Sequence, residues 1–316
     1  MSTSINNNSK QLIVSTEDAG QRLDVWCVGQ LPQLSRAAIQ RAIKSGDITL
    51  DGKRVKPRQT VTAGAAVSIH ATLTTPTTRV MEKITLPIVF ENDDVVVINK
   101  PAGVVAHVGP GVTGTTVSDW LVDRYPAASG IGEGETMRSG IVHRLDKDTR
   151  GVMIMAKTQA AYTHLKQAWQ KDRVKKEYLA VVYGVPGEQD GRIVQAISRS
   201  RRNPMRRTVD PAGKLAITEW QKVATLGAGE GQEAYALLRV FPFTGRTHQI
   251  RVHLHWLGFP IVGDELYTFK RQRPPRGVAR QLLHAEKLTL ELPDGSHHVF
   301  TAPIPPDFQA VVDSLQ

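Results

Sequence analysis

Between Glu82 and Gln316 the sequence is cut into short apolar and β-branched runs, and such a chain can bury them only by pairing them in a sheet. Ile88-Val89-Phe90 and Val95-Val96-Val97-Ile98 flank the polar Glu91-Asn92-Asp93-Asp94, a strand–turn–strand signal. Val181 to Tyr183, Ala234 to Val240 and Leu288 to Leu292 read as further strands. Thr116 to Tyr125 and Thr158 to Asp172 read as helices among them. Strands with a few interspersed helices predict an α+β domain, built on a largely antiparallel sheet, over residues 83–316.

The 316 residues are more than one simple small core needs and suit two domains. Residues 1–16 are expected to form a disordered tail, 17–70 a compact unit, and the Thr-rich stretch 71–82 a linker. The best helix of the compact unit opens at Ser35, a good N-cap, and stops before Gly46. Ala38, Ile39, Ala42 and Ile43 share one face of it. Arg41 and Lys44 take the other, with Arg36 at the flank. Two strand-like pieces follow around an Asp51-Gly52 turn.

Charge narrows the partner. Forty Lys+Arg against thirty Asp+Glu give +10 and a pI near 9.8, which points to a polyanion. Arg199, Arg201, Arg202, Arg206 and Arg207 fall within nine residues around Pro204 and read as a basic loop. That segment contains no aromatic, so phosphate contact suits it better than the reading of bases. Cys27 is the only cysteine, which excludes a disulfide framework and a Cys-rich zinc site and fits a reducing, cytosolic compartment. No run approaches the roughly 20 apolar residues of a membrane helix, so a soluble protein is expected.

The densest polar loop, Gly140 to Gly151, lies between Ile141-Val142 and the strand-like Val152 to Ala156. Loops held between apolar segments are where rigid scaffolds carry reactive groups. Within it Asp146 sits among His143, Arg144, Lys147 and Arg150, and cations favour the ionised carboxylate a nucleophile needs. On spacing alone, a surface loop of alternating charges making weak salt bridges is the favoured reading. His248, His253 and His255 fall within eight residues, but no His-Glu-x-x-His pattern accompanies them, and no metal site is expected.

His143-Arg144-Leu145-Asp146, followed by Thr149 and Gly151, resembles the catalytic loop of the RluA-type RNA pseudouridine synthases. Asn99 to His107, Lys176 to Ala180 and Thr244 to His253 resemble three further motifs in that family's order. Gln21 to Asp24, Ser35-Arg36 and Asp51 to Val55 are similar to an S4 RNA-binding domain, so the resemblance runs from Gln21 to Phe308. Two positions depart from the pattern: Arg150 stands where Ser or Thr is usual, and Val108 where proline is common.

The resemblance implies a small S4-like domain before a synthase domain that isomerises uridine in structured RNA. Large-subunit ribosomal RNA is the expected substrate, with transfer RNA the alternative. The alternative class is a non-catalytic RNA-binding or ribosome assembly factor. Asp146 would be the nucleophile and Arg144 would fill the space of the flipped base. Tyr178 would stack on the uracil and move a proton at C5, and Arg246 would pair with Asp146. Arg36, Arg41 and Lys44 would lie along the RNA backbone. Exchanging an N1–C1′ bond for C5–C1′ changes neither atom count nor redox state, so no cofactor is expected. The chain is expected to act as a cytoplasmic monomer.

The basic loop yields the first prediction. Each phosphate contact on single-stranded RNA adds about 0.7 to the slope of log affinity against log salt. Replacing Arg201, Arg202 and Arg206 together with Ala should flatten that slope by about 2, measured by RNA binding across a salt series. An unaltered slope would return the loop to a solvated run of charges.

Overall fold

The computed structural model describes residues 9–31, 34, 36–70, 81–109, 112–132, 139–227 and 233–316. The chain divides into two compact units, Met1–Arg79 and Val80–Gln316. Ser35 and positions 71–80 of the expected linker lie outside the described residues. No helix among the described residues is long and apolar enough to cross a membrane.

The first unit has strands β1 (Ser9–Ile13), β2 (Ile48–Leu50) and β3 (Ala66–His70) and helices α1 (Leu23–Gln30) and α2 (Arg36–Ser45). The strands form an antiparallel sheet in the order β1-β3-β2. As the spacing predicts, Ile39, Ala42 and Ile43 are buried, with Leu23, Trp26, Val67 and Ile69, while Arg41 and Lys44 are exposed. Asp51 and Gly52 turn at φ 49° and 72°, the sign a type I′ turn demands. The turn closes on one bridge, Leu50 to Lys53, and no second full strand follows.

The expected tail contains a strand. β1 pairs along the whole of β3 with Leu12 opposite Val67, and Val14 is buried. The short Leu12-Ile13-Val14 run alternates onto the sheet, and its strand character is hidden by the polar residues before it. Residues 1–8 lie outside the described residues. Asp24, fully buried on α1, accepts bonds from Arg22 at 2.9 and 3.0 Å, Gln40 at 2.6 Å and Arg36 at 3.2 Å. Burial works against its charge, and these bonds overcome it and hold its pKa down at about 2. Arg36 therefore has a structural partner, whereas Arg41 and Lys44 form no ion pair among the described residues.

The second unit contains β4 (Ile88–Glu91), β5 (Val95–Lys100), β6 (Arg150–Ala156), β7 (Lys175–Tyr183), β8 (Asp190–Arg199), β9 (Arg207–Val209), β10 (Lys214–Leu226), β11 (Tyr235–Pro242), β12 (Leu283–Glu291) and β13 (His297–Thr301). Its helices are α3 (Val117–Arg124), α4 (Gln159–Gln170), α5 (Gln249–Leu257) and α6 (Pro306–Ser314). The sheet runs β4-β5-β6-β12-β7-β11-β10-β8-β9, with β13 also on β12. The pairing of β12 with β6 is parallel, and the other pairings are antiparallel.

The seam of the sheet is β6–β12–β7. On one side, Val95 to Ile98 and Val152 to Ala156 build a core with Leu121 and Leu165. On the other, Ala180, Val182, Leu238 and Val240 build one with Ile250 and Leu254 of α5. Gly151 makes the seam possible. It has φ 122°, and a Cβ there would run into the Ala285 carbonyl of β12.

Lys100 ends β5 inside the protein, with no exposed surface. Its Nζ donates to the carbonyls of Pro101, Val104 and Lys147 at 2.8, 2.9 and 3.0 Å, using all three protons of an ammonium. Burial pushes its pKa down to about 7, against the pull of Asp148 and Asp146. The amine thereby ties the Asn99–His107 segment to the polar loop at Lys147. Lys100→Met keeps the stem but leaves the Pro101 and Val104 carbonyls without this donor, while the Lys147 carbonyl keeps the Gly103 N–H; each carbonyl left unbonded costs about 1–3 kcal/mol. We expect a loss of about 2 kcal/mol or more in urea unfolding; an unchanged midpoint would mean that the amine ties nothing.

Candidate active site

The polar loop is pinned by its alternate residues. Ile141, Val142 and Leu145 are buried in the core, and Ile141 bridges to Met155 of β6. His143 stacks on Trp169 at 4.6 Å, and its Nε2 accepts the Ile154 N–H at 3.1 Å. Burial, helped by the charge of Lys176, pushes its pKa down to about 3, so it is neutral. The Thr149 N–H closes the turn onto the Asp146 carbonyl at 3.1 Å, and the Gln281 amide donates to Thr149 Oγ1 at 2.7 Å. Asp146 is thus held at the edge of a cavity of about 270 Å³, which Arg144, Lys176, Tyr178, Arg246, His248 and Arg251 also line.

The partner of Asp146 is Arg251. Its Nη1 donates to Asp146 Oδ2 at 2.9 Å, while Nε and Nη2 form a fork on Asp264 at 2.6 and 2.9 Å. Arg251 is 7% exposed and Asp264 not at all. Burial opposes the charge of Arg251, but the bonds and charges of Asp264 and then Asp146 outweigh it and raise its pKa. His248 Nε2 lies 4.0 Å from Asp146 Oδ1, too far for a hydrogen bond.

This corrects the expected pairing of Arg246 with Asp146. Arg246 is exposed, and its Nε donates to the Leu215 carbonyl at 3.0 Å. The cause is where α5 begins. His248 precedes it in the left-handed region at φ 58°. Gln249 then locks the entry: its Oε1 accepts from Thr244 and from the Arg246 N–H, and its Nε2 donates to Ile217 and Thr218. That start puts Arg251 in the first helical turn and leaves Arg246 in the loop before it. Arg246 sits on a rim shared with a neighbouring hollow lined by Arg199, Arg207 and Lys214.

Tyr178 is half-buried against the same cavity. Burial, then the charge of Asp146, raises its pKa and keeps the phenol protonated. Lys176, on the same face of β7, is pushed down to about 8 by burial. Arg144 is exposed at the mouth, with no ion pair among the described residues. Arg150 points elsewhere, to Asp307 of α6 at 3.1 Å. The three histidines have separate partners: His248 contacts the Tyr267 hydroxyl, His253 bonds Thr218 and Gln195, and His255 packs on Phe269. The arginine segment is the β8–β9 hairpin, where Arg199 faces Arg207 across the strands. Arg201 and Arg202 are exposed, and Arg206 lies 5.2 Å from the Tyr267 ring centre.

A carboxylate, a buried guanidinium and a protonated phenol are drawn together on one cavity from segments up to 105 residues apart. The chain belongs to the RNA pseudouridylate synthase family, whose model matches residues 94–256, and an S4 domain model matches residues 21–67. It is 41% identical, over 96% of its length and 93% of the relative's, to an "Uncharacterized RNA pseudouridine synthase" of Chloroflexus aurantiacus. It is 36% identical, over 99% and 94% of the two chains, to "Ribosomal large subunit pseudouridine synthase D" of Xanthomonas campestris pv. campestris. A solved structure, "Human RNA Pseudouridylate Synthase Domain Containing 1", is similar at TM-score 0.56 and 28% identity, over 73% of this chain and 90% of that one. The activity of the family, isomerisation of uridine in RNA, is therefore the activity of this chain.

The two arginines should separate cleanly. Arg251→Ala leaves Asp264 buried without its cation, and breaking such a pair costs about 3–5 kcal/mol. Arg246→Ala should change stability by less than about 1 kcal/mol and should weaken RNA binding. Denaturation and RNA titration of both variants check this; similar destabilisation by the two would contradict the assignment.

Proposed function

We propose that this chain forms pseudouridine in large-subunit ribosomal RNA, with Asp146 as the nucleophile. The observation that carries the assignment is the one-sided grip of Arg251. It holds Oδ2 at 2.9 Å and leaves Oδ1 without a bonded donor among the described residues, on a carboxylate that lines the cavity. A guanidinium that cannot lose its proton keeps the carboxylate charged and aimed. The names of the relatives similar to this chain support the ribosomal substrate.

The target uridine must leave its stack, at a cost of a few kcal/mol. Arg144, exposed and unpaired among the described residues, is the group to fill the gap with its flat guanidinium. Attack of Asp146 at C1′ or at C6 starts from the same carboxylate. In either case N1–C1′ breaks, the base turns, C5–C1′ forms, the bond to Asp146 breaks and returns the carboxylate, and C5 gives up a proton while N1 gains one. Tyr178 serves best as a stacking face for uracil, since its raised pKa makes it a poor base at neutral pH. Arg41 and Lys44 of α2, with Arg199, Arg201, Arg202, Arg206, Arg207 and Arg246, would follow RNA phosphates. The reading extends to a monomer in the cytoplasm.

Asp146→Asn replaces a carboxylate with an amide of nearly equal size. Tritium release from RNA carrying C5-labelled uridine should disappear while RNA affinity stays close to wild type. Turnover near the wild-type rate would remove Asp146 from the reaction. Pseudouridine mapping of ribosomal and transfer RNA, with and without the gene, decides the substrate.

A further inference from the structure

The arginine hairpin has no aromatic of its own, and the fold brings one to it. Tyr267 lies beneath: its hydroxyl accepts the Arg207 N–H at 2.7 Å, and the Arg206 guanidinium sits over its ring. Two residues further on, Phe269 is 43% exposed and tilts against the His255 ring at 4.8 Å. A closed turn holds the ring out. The Gln272 N–H donates to the Phe269 carbonyl at 3.0 Å, and the Phe269 N–H donates to Gln272 Oε1 at 3.1 Å. Lys270, Arg271 and Arg273 follow, all exposed.

The turn is also anchored to the active site. Asp264 Oδ1, which takes one prong of the Arg251 fork, accepts the N–H groups of Leu266 and Tyr267 at 2.9 Å each. An aromatic face bordered by cations is the composition that takes a stacked base with its phosphates. Five basic residues between Lys270 and Arg280 favour a polyanion over a protein partner for the same ring.

We propose that Phe269, backed by His255, is a stacking platform for an unpaired RNA base beside the nucleotide that enters the cavity. The proposal rests on the RNA-modifying reading above. The platform adds affinity and fixes how the strand is phased along the cavity without choosing among bases, because every base has a π-face.

The test uses the full-length protein and a large-subunit ribosomal RNA fragment with 2-aminopurine moved through its unpaired positions. On binding wild type, one position should be quenched. Phe269→Ala should lose that quench, weaken affinity between about 5-fold and 150-fold, raise KM, and leave the salt slope of binding unchanged, since no phosphate contact is lost. Phe269→Trp should keep both quench and affinity, and Phe269→Leu should keep neither. Unchanged affinity in Phe269→Ala, full rescue by Leu, or no quenched position would each overturn the platform. If wild type binds the fragment without forming pseudouridine, the reaction assignment fails on its own, and the platform is still judged by quench and affinity.

Discussion

One guanidinium joins the parts of the catalytic unit that must meet. Arg251 leaves α5 toward two aspartates, one in the loop before β6 and one after Ile261-Val262-Gly263. A buried ion pair gains stability only when geometry offsets the desolvation of both charges, and the fork on Asp264 supplies that geometry. Asp146 then takes the remaining Nη1. The loop, the helix and the turn that follows Asp264 are thereby referenced to a single planar group. A small shift of α5 would misaim all three.

Around that group the scaffold is stiffened by backbone devices more than by side-chain bulk. Gly151 lets β6 lie against β12, and Lys100 bonds carbonyls of both the Asn99–His107 segment and the polar loop. Gln249 saturates its amide while fixing the first turn of α5. Such contacts fix where the Asp146 carboxylate sits on the cavity.

The reactive loop was legible in the sequence because its dense polarity interrupts two apolar segments, and the α2 helix because Ile39, Ala42 and Ile43 repeat at helical spacing. The choice of arginine was not legible. Arg246 and Arg251 stand five positions apart in one motif, and which one faces Asp146 depends on a left-handed residue and an amide network that no periodicity reveals. Asp264 could be seen as an acid near glycine, but its burial arises only when β7, α5 and the Ile261–Tyr267 turn pack. β1 was missed because three apolar residues behind a polar start give too short a period to separate strand from tail. The aromatic beside the hairpin was missed because about sixty residues separate Arg207 from Tyr267.

The pairing of β1 with β3 sets a boundary that motif matching would draw elsewhere. The S4 signature spans residues 21–67, yet β3 is the middle strand of its sheet only because Ser9–Ile13 covers one side. A domain cut at the signature would bare a row of unpaired N–H and C=O groups along β3, a template for strands of other molecules. The smallest piece of this unit that keeps β3 paired on both edges is therefore defined by main-chain hydrogen bonds that reach back to the ninth residue.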